Sequence, residues 1–472
     1  MEFFNFWDSE VWGSFNLIAV LLISLLIANS LKKLIPILKR SLIPSSVLGG
    51  LILLITSVVY ESVTGQSMYN TAFFGGNGAA MLEVVTYHCL ALGFIATSLK
   101  SSNAKFGKER SREIFNTGIS TVCTYLLQGV IGLGLTFIAS VFIKDLFPAS
   151  GILLLFGYGQ GTGQALNYGS IYENDFGFVG GRSFGLTIAA FGFISAAIGG
   201  VIHLNLLRKK GLDYNWNHED AETKSLNLQD VQSPDEIPMN GSIDKLTMQL
   251  ILVFLAYLMA YGVMSFLGNA IGSLRSILFG FNFLIGVLMA ELIVFVNNLL
   301  MKKRIVKRQH ISGFLMTRLS GFFFDIMIVT GVAAIRVNVL TCYWPFIIVL
   351  AVVGAVSTYF YCRFVSRRLF PKYAEEQFLA TYGMLTGTAS TGIILLREID
   401  PDYKTPASEN LVFQNFPAMV FGFPMMLFAT LAPVQPLLTL GIVILFFAAM
   451  NLLLFRNQLK SRFKAKKQRT KP

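Results

Sequence analysis

Charge is scarce in this chain. Only 14% of its 472 residues are Asp, Glu, Lys or Arg, against about 25% in a water-soluble domain. Hydrophobic residues make up 54% and mean hydropathy is +0.61, which excludes a soluble multi-domain enzyme. Cysteine and histidine are equally sparse, at four each. Cys89, Cys123, Cys342 and Cys362 show no CxxC spacing and lie in apolar runs. They are expected to be buried packing thiols, with neither a disulfide framework nor a zinc site. The four histidines are scattered, so no transition-metal site is expected. No lysine follows a glycine-rich loop in the spacing of a phosphate-binding loop, and GxGxxG is not met.

What is abundant is long apolar runs. Eleven stretches are read as spans: 13–31, 44–60, 80–99, 113–143, 180–207, 246–267, 277–300, 313–335, 343–362, 409–432 and 436–455. About 20 apolar residues cross the hydrocarbon core as a helix. The N-terminus carries Glu2, Asp8 and Glu10 and no Lys or Arg before the first run, so a retained span rather than a cleaved signal is expected. The polar stretch 208–244 reads as a cytoplasmic linker between two halves.

Net charge of +12 would suit nucleic acid, but its placement writes topology instead. With an external N-terminus and a crossing at every span, 33 of the 38 Lys and Arg fall in cytoplasmic segments, the basic C-terminal tail included. Lys144, Arg182, Arg275 and Arg336 stay outside and Arg318 lies in a span. The count works only if two further stretches, 148–172 and 374–396, enter and leave on one side as re-entrant hairpins. Each half then has five spans, and an odd number makes the halves inverted repeats. The predicted fold is an all-α polytopic membrane protein. Its parts are a first repeat 1–207, the linker, a second repeat 245–432, and an extra span with its basic tail, 433–472.

The two hairpin stretches hold matched glycine-threonine segments, Tyr158 to Ala165 and Tyr382 to Gly392. Glycine frees carbonyl oxygens and threonine adds a neutral oxygen. That set suits a weakly hydrated monovalent cation, while half-helix termini suit an anion. Gly161, Thr162, Gly163, Gly387, Thr388 and Thr391 are therefore the candidate ion-binding residues, with Asp325 added as a carboxylate inside a span. The competing reading of each segment alone is close helix packing by small residues. Gln160, Gln164, Asn167, Gln414 and Asn415 can hydrogen-bond a zwitterionic or carboxylate substrate, and Ser390 lies in the same segment. Arg397, ending the second hairpin, either holds an anionic group or faces the cytoplasm. Arg318 and Asp325 lie two turns apart, either as an internal pair or with Arg318 reaching the membrane edge. Glu83 and Glu291 are expected to be solvated or paired, and His88 to be an interior histidine.

Ile43-Pro44 with Gly49-Gly50, Gly159-x-Gly161-Thr162-Gly163, and Gly383-x-x-x-Gly387 with Thr391 together resemble the bacterial sodium/glutamate symporter family over nearly the whole chain. The resemblance implies two inverted five-span repeats, Na⁺-coupled uptake of glutamate through an elevator-like movement, and a homodimer in the inner membrane. The expected function is Na⁺-coupled symport of glutamate or a related acidic amino acid. Na⁺ is the coupling ion, no other cofactor is expected, and the partners are substrate, Na⁺ and the lipid bilayer. A proton-coupled or exchange transporter of another organic anion or amino acid is the alternative. A channel would show conductance without saturable coupling, and no constellation of catalytic groups points to an enzyme.

Overall fold

The computed structural model describes residues 5–100, 107–210, 243–272, 275–306, 308–401 and 403–458. Most of the expected linker and tail lies outside these residues. The described chain is helical throughout, with no strand among the described residues. Its α-helices are α1 (Ser9–Leu34), α2 (Pro36–Arg40), α3 (Ser45–Thr64), α4 (Gly78–Leu99), α5 (Lys108–Ala139), α6 (Thr162–Phe176) and α7 (Gly181–Lys209). They continue with α8 (Lys245–Ala270), α9 (Arg275–Gly280), α10 (Asn282–Lys302), α11 (Gly313–Ala333), α12 (Trp344–Leu369), α13 (Ala374–Thr386) and α14 (Ala389–Arg397). Last come α15 (Ala407–Phe413), α16 (Asn415–Leu431) and α17 (Pro436–Leu454).

Among the described residues ten helices are long and apolar enough to cross a membrane, and the bent pair α15 and α16 makes up to eleven. That pair covers the stretch read as a span over 409–432, and the chain bends by 48° between the two helices. Pro417, three residues into α16, has no N–H for the carbonyl four residues back, and its ring crowds that carbonyl. One cysteine expectation also fails. Cys89, Cys123 and Cys362 are buried, but Cys342 is exposed, because it falls in the connection between the end of α11 and the start of α12.

The helices pack as two bodies. In the first, α4 lies along α11, α3 crosses α11 and α10 crosses α4, while α1 covers α3 and α8 covers α10. Two glycines permit the tight crossings. A Cβ on Gly50 of α3 would meet Val332 of α11 at 2.7 Å, and one on Gly286 of α10 would meet Ile95 of α4 at 2.7 Å. Small residues at such crossings let backbones approach in a membrane, where no hydrophobic drive separates helix from lipid. In the second body, α5 and α12 pack together and carry α7, α13, α16 and α17 on their flanks. The bodies meet chiefly where α6 lies against α4, α9 and α11, with a smaller contact of α7 on α11.

Candidate functional site

Both glycine-threonine segments break their helices and fold back. In the first, a 3₁₀ turn at Ser150–Ile152 leads into wide π-type turns over Leu155–Gln160, and α6 starts at Thr162. Phe156 stacks on Tyr168 across the bend, ring centroids 3.7 Å apart, so the two arms lie side by side. Gly161, at the bend, holds φ 80° and ψ −171°. Only glycine adopts that region without strain. In the second segment α13 ends at Thr386 and α14 begins at Ala389. Its arms approach so closely that a Cβ on Gly383 would lie 2.7 Å from the Gly392 Cα. Thr388 caps α14, its Oγ1 accepting from the Thr391 N–H at 3.5 Å.

The two bends meet. A Cβ on Gly161 would come 3.5 Å from the Gly387 carbonyl oxygen and 3.6 Å from the Thr388 methyl. Thr388 and Thr391 hydroxyl oxygens lie 3.3 Å apart. Thr162 is fully buried and its hydroxyl has no hydrogen-bond partner among the described residues. Orphaned buried hydroxyls are rare in folded proteins and call for an explanation such as an ion or water. Two residues on in α6, the Gln164 side chain is 1% exposed and its Nε2 has no partner among the described residues. Gly161, Thr162, Gly387, Thr388 and Thr391 are thus brought together. Gly163 stands one residue on, pressed against Leu90 and Met327.

The remaining expected residues scatter. Gln160 is half-buried beside the first bend. Asn167 lies a turn beyond Gln164, donating to its Oε1 at 3.3 Å and to the Gly280 carbonyl at 2.6 Å; it ties α6 to α9. Ser390 is exposed at the start of α14. Arg397 is exposed at the far end of that helix, about 13 Å from the bend at 1.5 Å per residue. Asn415, with Gln414, sits at the α15–α16 bend, where Gln414 Nε2 donates to the Asn415 Oδ1 at 3.0 Å and approaches Met384 Sδ at 3.1 Å. Asp325 is exposed on α11, six residues before Gly331, the residue against which Thr162 packs. Arg318 lies over the Phe314 ring at 5.3 Å, and no ion pair joins it to Asp325 among the described residues.

Three groups at this centre were not singled out from the sequence. Gln128 of α5 is fully buried between the hairpins. Its Nε2 donates to the Leu385 carbonyl at 2.8 Å and to Thr358 Oγ1 at 3.0 Å, and its Oε1 has no partner among the described residues. Tyr158 and Tyr382, the first residues of the two matched segments, both reach Ser195 of α7. Tyr158 Oη lies 2.9 Å from Ser195 Oγ, and Tyr382 donates to the Ser195 carbonyl at 2.9 Å. Lone polar residues in apolar helices carry no local signal of a partner so distant in the chain. The paired Tyr-Gly starts were a visible signal.

Glu83, expected to be solvated or paired, is paired. It accepts from Arg182 Nη1 at 2.7 Å and from Arg336 Nη2 at 3.2 Å. Arg182 also donates to Ser170 Oγ and Asn174 Oδ1, and its backbone N–H to Glu173. One guanidinium therefore joins α4, α6 and the start of α7. A cleft of about 440 Å³ opens beside it, lined by Glu83, Tyr87, His88, Asn167, Asn174 and Arg182 among others. His88 itself is exposed and hydrogen-bonds Tyr257.

Many apolar spans, two broken helical segments meeting at their bends, and buried polar atoms where they meet define a multi-pass membrane protein with an internal polar site. The chain belongs to the sodium/glutamate symporter family, which matches residues 13–399. Both hairpins lie inside that match, whereas α15, α16 and α17 follow it. The family is one of membrane transporters. No curated protein matches the chain, and no solved structure does.

Proposed function

We propose that this protein is a secondary transporter of the inner membrane, coupling Na⁺ entry to uptake of glutamate or a related acidic amino acid. The observation that carries the reading is that the two bends meet, with two buried oxygens beside them, Thr162 Oγ1 and Gln128 Oε1, that have no partner among the described residues. Na⁺ needs several neutral or anionic oxygens and cannot be held by an apolar packing seam. Gly161, Thr162, Gly163, Gly387, Thr388 and Thr391 provide carbonyl and hydroxyl oxygens there. Gln160 and Gln164 adjoin them on the first segment, and with Asn167, Asn415 and Ser390, which stand farther off, they are assigned to the substrate. Arg397, distant along α14, is assigned to the anionic group of the substrate, and Asp325 contributes charge from the neighbouring body.

The two halves are read as inverted five-helix repeats with re-entrant hairpins, the N-terminus outside and the C-terminus cytoplasmic. Reciprocal packing supports this: α3 of the first half crosses α11 of the second, and α10 of the second crosses α4 of the first. The two bodies support alternating access. The first hairpin is docked on α4 and α11, while Ala389 and Ser390 of the second are exposed. An opening on the second hairpin's side, which the charge distribution makes cytoplasmic, follows. The opposite state exchanges the roles of the hairpins, and Na⁺ and substrate bias the exchange through differential affinity. A homodimer formed through the first body fits the same division.

The test is uptake of radiolabelled glutamate into proteoliposomes under an imposed Na⁺ gradient. Accumulation that collapses when K⁺ replaces Na⁺ is expected. Uptake indifferent to that replacement but driven by a proton gradient would transfer the chain to the proton-coupled alternative. A panel of acidic amino acids and dicarboxylates in the same assay fixes the substrate class.

A further inference from the structure

The last helix, α17, belongs to neither repeat, yet it is fastened rather than loose. It packs along α5, and polar contacts pin its C-terminal end. Tyr361 of α12 donates to Asn451 Oδ1 at 2.7 Å, Arg456 Nη1 donates to Asn116 Oδ1 at 3.3 Å, and Gln458 Nε2 donates to the Arg368 carbonyl at 2.8 Å. Between α12 and α17, at that same end, lies an open groove of about 480 Å³. Phe364, Leu452 and Phe455 give it apolar walls, and Arg368, Asn451 and Gln458 give it a polar mouth.

The charge at the mouth is of one sign. Arg368 is exposed, with its guanidinium carbon 5.7 Å from the Phe364 ring centre, and no carboxylate pairs with it among the described residues. Its neighbour Arg367 is committed to Glu375 at 2.9 Å. The chain then continues beyond α17 with Lys460, Arg462, Lys464, Lys466, Lys467, Arg469 and Lys471 and no acidic residue. A run of basic residues directly after a transmembrane helix attracts anionic lipid, at about 1 kcal/mol per residue near the surface. A guanidinium adds bidentate recognition of a phosphate.

We infer that the α12–α17 groove binds one anionic glycerophospholipid, its phosphate on Arg368 and an acyl chain along Leu452 and Phe455. The basic segment after α17 raises the local concentration of such lipids, and the groove holds one of them. A function for the extra helix follows: it completes a lipid site on the body that carries the second hairpin. The inference requires only that the chain is a multi-pass membrane protein, so a failed glutamate assay would leave it standing.

The full-length protein, purified in mild detergent and incubated with mixed phosphatidylglycerol and phosphatidylcholine vesicles, is washed and its retained lipid measured by mass spectrometry. One retained phosphatidylglycerol per chain is expected, in at least fivefold preference over phosphatidylcholine. Arg368→Gln should reduce retention about fivefold. Leu452→Trp, which fills the groove without changing charge, should do the same. Arg275→Gln, on an exposed basic residue far along the chain, should leave it unchanged. Equal retention of both lipids, or wild-type retention in Arg368→Gln and Leu452→Trp, would overturn the site. Loss on deleting residues 459–472 with no loss in Arg368→Gln would also overturn it, leaving only a diffuse surface attraction.

Discussion

Glu83 is the carboxylate whose removal the structure most clearly predicts to matter away from the bends. It sits on α4 with two guanidiniums on it, and one of them, Arg182, also grips α6. The Glu83 and Arg182 side chains are 15% and 25% exposed. That places the pair between an exposed bridge, worth about 0–1 kcal/mol, and a fully buried one, whose breakage costs about 3–5 kcal/mol. Arg182 keeps its Ser170 and Asn174 contacts when Glu83 is neutralised, so about 1–2 kcal/mol is the expected loss of docking. By the same scale that is a roughly 5- to 30-fold rise in the undocked population. Ile171 of α6 faces Gly280 across this junction. A cysteine at 171, in a background lacking the exposed Cys342, reports undocking through its rate of modification by a water-soluble maleimide. When closing outpaces labelling, the rate follows the open population. Glu83→Gln should therefore accelerate labelling 5- to 30-fold. Arg336→Gln should change it by less than about twofold, because that side chain is 52% exposed. Equal labelling rates in parent and Glu83→Gln would refute the claim that this ion pair holds the first hairpin against the neighbouring body.

Other outcomes follow from single groups at the centre. Thr162→Ala removes a hydroxyl that has no partner among the described residues, so the thermal midpoint should hold while the Na⁺ concentration for half-maximal uptake rises; a stability loss with unchanged Na⁺ dependence would make the hydroxyl structural. Gly161→Ala forces a side chain into glycine-only backbone at a cost of about 1–3 kcal/mol, so uptake should fall steeply, read in proteoliposomes at matched protein density. Gln128→Leu strips the Leu385 carbonyl and Thr358 of their donor, lowering stability by about 1–3 kcal/mol in a thermal unfolding series. Gln128→Glu should be at least as damaging, since its carboxylate cannot donate to that carbonyl.

The spans and both helix breaks were legible because their signals are local: apolar runs, charge between them, and glycine at Gly161 and Gly387. The charge count also set apart the stretches 148–172 and 374–396 from the spans, although it says nothing of how their bends touch. The bend at Gln414 was missed, since a proline near a helix start looks harmless in the pattern and breaks the helix only in register with α15. Gln128 was missed because its partners, Thr358 and Leu385, lie in the other half of the chain. The proposed site residues divided on the same line. Those at the glycine bends converged, whereas Arg397 and Asp325, chosen for their charge, stand apart from the bends. Ser390, chosen for its place in the second segment, is exposed at the start of α14, and neighbours in sequence do not determine which side of a helix start is covered.

The central claim is that glutamate and Na⁺ cross together through the joined bends. Radiolabelled sodium and radiolabelled glutamate can be followed into the same proteoliposomes, with the membrane potential clamped. The account predicts that the two fluxes rise in a fixed ratio, each requiring the other, and that Thr162→Ala and Thr388→Ala weaken both. Glutamate entry unaccompanied by sodium, or a sodium flux unchanged when glutamate is withheld, would contradict it.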